Sequence, residues 1–228
     1  MNRCYDTAGM NLKKIAGALS LVVLLWTPGT VLGQTLPATI PLFPLGDVVL
    51  FPAVSRPFYI FEPRYRAMIA DALKGDRIIG MILLRPGFEK DYEGRPPIHE
   101  LGTAGQIIDF EELPDGTYAI VLRGLTRFRV TSEDQSRVYR LARVEAVPEQ
   151  MRDADLGQLS TLRERVATLF ERLLPPDASG PDPSLSDEAF VNSIAQYINV
   201  PEPARQEMLE LGSPLLRARA LIDLFEKR

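Results

Sequence analysis

Between residues 40 and 147 the apolar positions fall in short blocks of strand length, and after Pro148 their spacing changes to a helical repeat. Residues 78–84 (IIGMILL) form an uninterrupted apolar run of the length expected for a buried strand. Residues 103–113 lead into Pro114-Asp115-Gly116, a strong turn signal, and residues 117–123 return as a second strand. Gly124 is expected to break that strand before residues 125–131. In this last segment Phe128 and Val130 share one face while Arg127 and Arg129 share the other, which predicts a half-buried strand with both arginines in water. Residues 139–147 complete the strand candidates and end at Pro148. One helix interrupts the series. Pro63 follows Glu62 at a first helical turn, where a missing N–H costs nothing, and Tyr65, Met68, Ile69, Ala72 and Leu73 keep helical spacing until Gly75, the expected stop.

The second half reads as helices. Leu159, Leu162, Val166, Leu169, Phe170 and Leu173 form one apolar stripe that ends at Pro175-Pro176. The stretch 175–183 is rich in Pro, Asp, Gly and Ser and predicts an exposed loop. Ser186 is placed to cap the next helix, with Asp187 and Glu188 in its first turn, where acidic groups favour the helix dipole. A short helix over 203–211 follows, and Ser213-Pro214 opens a last one that carries Leu215, Ile222 and Phe225 inward. Strands first and helices second make this an α+β chain, its short strands and turns suggesting a sandwich or small barrel.

The amino terminus departs from both patterns. Lys13 and Lys14 precede the apolar block 15–26, Pro28-Gly29 breaks it, and Val31-Leu32-Gly33 precedes Gln34. This is the layout of a secretory signal peptide over residues 1–33, cleaved between Gly33 and Gln34. The block is shorter than the roughly 20 apolar residues that span a bilayer, so export to the periplasm or medium is expected. Anchoring by an uncleaved segment is the alternative, and the only route to a membrane. The single cysteine, Cys4, lies ahead of the block, so the mature chain has no thiol. Loss of three basic residues and one acidic residue would take the net charge from -4 to -6. Such a chain is a poor partner for nucleic acid, whose phosphates need a concentrated basic face.

The densest sequence signal is the run over residues 41–68, which holds five prolines, two apolar strand-like pieces and a charged helix start. PLFPLGDVVLFP (41–52), IFEPRYRAM (60–68) and LPDGTYAIVLRGLTRFRV (113–130) together resemble the amino-terminal substrate-binding domain of Lon proteases. This LON domain also occurs free-standing in bacteria and within cereblon-type proteins. The resemblance extends from about Ile40 to the carboxyl terminus. It implies a PUA-like, partly open β-barrel with one inserted helix over 40–148, followed by a helical bundle over 153–228. It also implies a module that engages unfolded or extended polypeptide, or a partner protein, while ATP hydrolysis and peptide cleavage belong to other domains. An export signal is a departure from free-standing relatives expected in the cytoplasm, so partnership with cytoplasmic unfoldases does not carry over.

The residues themselves offer little catalysis. The stretch 75–82 has the glycine spacing of a phosphate-binding loop but puts Met81 where the lysine belongs, and no G-x-S-x-G elbow is present. His99, the only histidine, has no second His or Cys to join it and reads as an exposed loop residue. Glu111 and Glu112 read as a solvated strand end. No cofactor and no metal are expected. An envelope hydrolase or peptidase, or a small-molecule sensor, is the alternative function. For peptide binding the candidates are Leu42, Phe43 and Phe51 as an apolar surface, and Arg64 as a carboxylate partner. The competing reading places the first three in the core, where apolar strand residues usually pack, and pairs Arg64 with Glu62.

Overall fold

The computed structural model describes residues 36–88, 92, 94–175 and 178–227. The expected leader, with its cleavage site at Gly33 and Gln34, lies outside the described residues. The elements run β1 (Thr39–Leu45), β2 (Ser55–Ile60), α1 (Pro63–Ala72), β3 (Ile78–Leu83), β4 (Leu101–Glu112), β5 (Tyr118–Asp134), β6 (Arg140–Val147), α2 (Asp153–Glu171), α3 (Asp187–Tyr197), α4 (Glu202–Glu210) and α5 (Pro214–Glu226).

The strands form one mixed sheet in the order β2-β5-β4-β3-β1-β6. Only β1 and β3 run parallel, with Leu42 opposite Gly80; the connection between them carries β2 and α1. The curl of the sheet comes from β5, a 17-residue strand. It pairs with β2 and β4 along its first part and with β6 from Arg127 to Asp134. The strand at the far end of the order thus returns to β5, and the sheet bends into a partly open barrel with β2 at its margin.

The expected break at Gly124 is instead a bulge within one continuous strand. Ala104 faces Thr126 and Gly105 faces Gly124, which leaves Leu125 as the extra residue on β5. Glycine is required there by contact: a Cβ on Gly124 would overlap the carbonyl oxygen of Phe51. Gly75 is likewise not the residue that reverses the chain after α1. Arg77 takes the left-handed conformation (φ 58°), its N–H donating to the carbonyl of Ala72 at 3.1 Å.

Apolar residues gather in three clusters. One fills the space between the sheet and α1, with Phe43, Leu45, Tyr65, Met68, Ile79 and Leu122. A second, smaller one holds Leu42, Ile82, Ala104, Phe128 and Ala142. The third unites the helices α2, α3, α4 and α5 with Val49, Phe51, Val54, Leu83 and Leu101 from the strand half. The helices therefore share a core with the sheet, and residues 36–228 form one compact unit. Two serine caps start helices where the sequence placed them. Ser186 Oγ accepts from the Ala189 N–H at 3.2 Å, and Ser213 Oγ from the Leu216 N–H at 3.3 Å.

Candidate functional site

The seam between sheet and helices is built from backbone groups that the strand ladders leave over. After β1 the chain runs through residues 46–54 without regular structure, and its polar groups need partners elsewhere. Helix α3 supplies them from one face. Gln196 Oε1 accepts from the Phe51 N–H at 3.0 Å, and Asn192 Nδ2, one turn earlier, donates to the Pro52 carbonyl at 3.0 Å. From the sheet side, Gly124 exchanges backbone hydrogen bonds of 2.9 Å with Ala53 and Val54. Helix α4 is tied in similarly: Gln206 Nε2 donates to the carbonyl of Leu101 at 3.0 Å and to Glu210 Oε1 at 2.9 Å.

Two buried arginines cross the same seam. Arg217 on α5 is fully buried; it donates to the Met208 carbonyl (3.0 Å), to Asn192 Oδ1 (2.6 Å) and to Glu149 Oε1. Arg127 on β5 is 4 % exposed and donates to the carbonyls of Leu209 (3.2 Å), Pro148 (3.4 Å) and Gly212 (3.4 Å). Its Nε stands 3.7 Å from the same Glu149 oxygen and makes no hydrogen bond. Burial lowers the pKa of Arg127, with Glu149 opposing and Arg217 reinforcing that shift. One carboxylate thus serves two guanidinium groups. The neighbouring Glu188 carboxyl is raised, first by burial and then by the charge of Glu149.

On the outer side of Arg127 opens a cleft of about 1010 Å³ between the start of β4, the middle of β5, the end of β6 and the helices α2, α4 and α5. Its wall carries five arginines (Arg85, Arg127, Arg129, Arg152, Arg219) against three carboxylates (Glu100, Asp155, Glu210). His99 and the apolar Leu101, Val147, Leu215 and Leu216 line it as well. Arg129 pairs with Glu100 at 3.0 Å and Arg152 with Asp155 at 2.9 Å. Arg85 and Arg219 donate to neutral acceptors, the Ile98 carbonyl (3.0 Å) and Gln158 Oε1 (3.2 Å).

The sequence candidates are distributed unevenly over this geometry. Leu42 (0 % exposed), Phe43 (4 %) and Phe51 (0 %) are interior, which corrects their reading as an apolar surface. The reason is that β1 is covered on both faces: Leu42 and Phe43 point into different clusters. Arg64 donates Nε to Glu62 Oε2 at 3.0 Å, and its guanidinium lies over the rings of Tyr65 (4.6 Å) and Tyr92 (4.9 Å). It borders a separate cavity of about 230 Å³, where burial raises the Tyr65 hydroxyl to about 12. Arg127 is not in water, because the helical half covers that face of β5. His99 is not simply exposed either: Nδ1 lies 3.9 Å from Glu210 Oε1, and Nε2 is buried without a hydrogen-bond partner. Burial lowers its pKa, Glu210 opposing and Arg85 reinforcing the shift. Arg85, Glu149, Arg152, Arg217 and Arg219 were not among the candidates. Arg217 alone left a signal, since it falls on the inward stripe of α5 beside Leu221. Among the described residues no group of three His, Cys, Asp or Glu side chains could hold a metal ion.

The architecture is thus a curled mixed sheet backed by helices, with a charged cleft at their seam. The family model for the ATP-dependent protease La (LON) substrate-binding domain matches residues 39–227, and the chain belongs to that family. Among solved structures, the amino-terminal domain of a Mycobacterium avium complex Lon protease superposes with TM-score 0.59 at 18 % identity. That match covers 83 % of this chain and 99 % of the other, and shows the shared fold. A Lon N-terminal domain protein from Xanthomonas campestris superposes with TM-score 0.55 at 25 % identity, covering 81 % of this chain and 97 % of that one. In sequence, Lon protease 2 of Myxococcus xanthus is 27 % identical over 95 % of this chain, and the Lon protease of Anaeromyxobacter dehalogenans is 26 % identical over 95 %. The chain spans only 27 % and 26 % of the length of these two relatives.

Proposed function

We propose that this chain is a non-catalytic recognition module that binds unfolded or extended polypeptide, or a partner protein, in the cleft between its curled sheet and its helices. The observation that carries the reading is the match to a substrate-binding domain over residues 39–227, which takes in every strand and helix of the fold. The cleft supplies a place for it. At about 1010 Å³ it lies at the upper end of the range for ligand pockets, and it mixes apolar side chains with charged ones. In this reading residues 39–227 recognise and hold, and ATP hydrolysis and peptide cleavage are the work of other domains. Residues 1–33 would direct it to the periplasm or medium, or anchor it there if uncleaved.

A photo-crosslinking residue in place of Leu216, on the cleft wall, tests the site when the protein is mixed with a chemically unfolded polypeptide. Crosslinks from position 216 but not from Val138, which lies outside the cleft, are the expected result. Equal labelling from both positions, or hydrolysis of ATP or peptide by the purified chain, would count against the reading. Amino-terminal sequencing of protein from fractionated cells tests the leader: a mature chain beginning at Gln34 in the exported fraction is expected.

A further inference from the structure

We infer that the cleft selects a carboxylate, so that the polypeptide it holds presents either a free carboxyl terminus or an acidic side chain flanked by apolar residues. This rests on the reading of the cleft as the polypeptide site and adds the chemistry that would be recognised there.

Three observations carry it. The first is charge. Five arginines face three carboxylates in the wall of a cleft belonging to a chain whose net charge is -4, so positive charge is concentrated here against the overall trend. Two of the arginines, Arg85 and Arg219, spend their hydrogen bonds on neutral acceptors, which leaves their charges uncancelled by a direct ion pair. The second lies behind the wall. Arg127 and Arg217 share the carboxylate of Glu149, and burial together with the charge of Glu149 makes the neighbouring Glu188 hold its proton more readily, so the buried layer against which the cleft is built also leans positive. Low-dielectric surroundings screen such a field less than water does. The guanidinium of Arg127 is fixed by three bonds to carbonyls, and a donor already in place loses little freedom when an anion arrives.

The third observation is the apolar side of the same wall. Leu101, Val147, Leu215 and Leu216 lie among the arginines, and Leu216 is exposed at the rim. Leu101 and Leu215 are already buried, and a purely ionic ligand such as inorganic phosphate would leave Leu216 and part of Val147 in water. A ligand with an apolar body and one carboxylate uses both halves of the cleft. Guanidinium groups recognise carboxylates through paired, charge-assisted N–H···O bonds, and burial beside apolar groups strengthens them. A carboxylate can exchange places with Glu100 on Arg129, an exposed pair in which the resident partner is held only weakly.

The test uses hexanoate and hexanamide, which share an apolar tail and differ in charge. Both are titrated into the full chain while the resonances of the cleft, including the imidazole of its only histidine, His99, are followed by NMR. Hexanoate is expected to shift them in a saturable way, about tenfold more tightly than the amide, and to lose that preference in Arg129→Gln/Arg219→Gln. Both arginines are exposed, and their bonds to Glu100 and Gln158 are surface contacts, so the double variant keeps the fold. Equal response to the acid and the amide, or a preference that survives in the variant, overturns the inference whatever peptides do. A second arm separates the two sources of carboxylate. A short Leu/Val/Ser peptide is compared as free acid, as carboxyl-terminal amide, and as the amide with one internal Glu. Preference for the free acid alone assigns the terminus, and recovery by the internal Glu assigns a side chain. If hexanoate binds selectively but no peptide form does, the carboxylate site stands and the polypeptide reading falls. If all peptide forms bind equally and hexanoate shows no preference over hexanamide, the polypeptide reading stands and the carboxylate inference falls.

Discussion

The backbone N–H of Phe51 donates to Oε1 of Gln196 at 3.0 Å, across 145 positions of sequence. The bond is buried, and it joins an irregular segment of the strand half to helix α3. A buried amide without a partner is costly, so this side chain stands in for the sheet neighbour that residues 46–54 lack. Gln196→Leu is therefore expected to destabilise the chain by about 1–3 kcal/mol. Urea unfolding would read it as a lower midpoint at unchanged slope. A midpoint equal to the parent would show that the bond contributes nothing.

Gly124 and Gly157 make opposite predictions for the same substitution. At Gly124 a Cβ would overlap the Phe51 carbonyl, a backbone atom that cannot swing aside, so Gly124→Ala should cost about 1–3 kcal/mol. At Gly157, inside α2, nothing lies within 4 Å of a new Cβ. There Gly157→Ala should stabilise by roughly 0.5–1 kcal/mol, through the helix propensity of alanine alone. Thermal melts of the two variants moving in the same direction would contradict this account.

Removing Arg217 should be more damaging than either. Arg217→Ala strands Asn192 Oδ1 and leaves Glu149 to Arg127 alone, and breaking a buried pair in this way costs about 3–5 kcal/mol. Glu149→Gln keeps the volume and an acceptor, and should cost less. In a double-mutant cycle the two changes are expected to couple, because they share one interaction. Additive effects would mean that the pair is not energetically linked.

His99 gives a pH dependence whose sign follows from its burial. Its folded-state pKa lies below the ordinary 6.5, so the folded protein binds the proton more weakly than the unfolded chain does. The contribution to stability is then intact above about pH 6.5 and is lost as pH falls through that value toward the lower folded pKa. Glu210 works against the shift and Arg85 with it, so Glu210→Gln should lower the imidazole pKa further and Arg85→Gln should raise it. Imidazole NMR on this one-histidine chain measures each directly.

Much of the architecture was legible in the residues because local signals and tertiary packing agree. The Pro114-Asp115-Gly116 turn sits between β4 and β5, and Ser186 and Ser213 cap the helices they were expected to cap. The misreadings come from tertiary cover of two kinds. Alternation along residues 125–131 implies one wet face, yet the helical half covers the side of β5 at Arg127. The helical half also buries Phe51, whereas Leu42 and Phe43 are buried on opposite faces of β1 by the curled sheet itself and by the α1 side, where strand periodicity promises only one buried face. The cleft was harder still. Its arginines come from the strand half and from two helices, and no spacing in sequence connects Arg85 with Arg219.

The pairing of β1 bears on how the chain comes to be folded. Its two neighbours are β3 and β6, and Ile40 meets Ala142 only after nearly all of the strand half has been made. Residues 42–45 can pair with β3 early, but residues 39–42 wait for their ladder with β6 while the intervening residues emerge. Non-local closure of this kind is slow and leaves apolar backbone open to other chains in the meantime. A chain of the LON substrate-binding family thus passes through a stage in which the start of its own β1 is an unpaired apolar segment, open to capture by others.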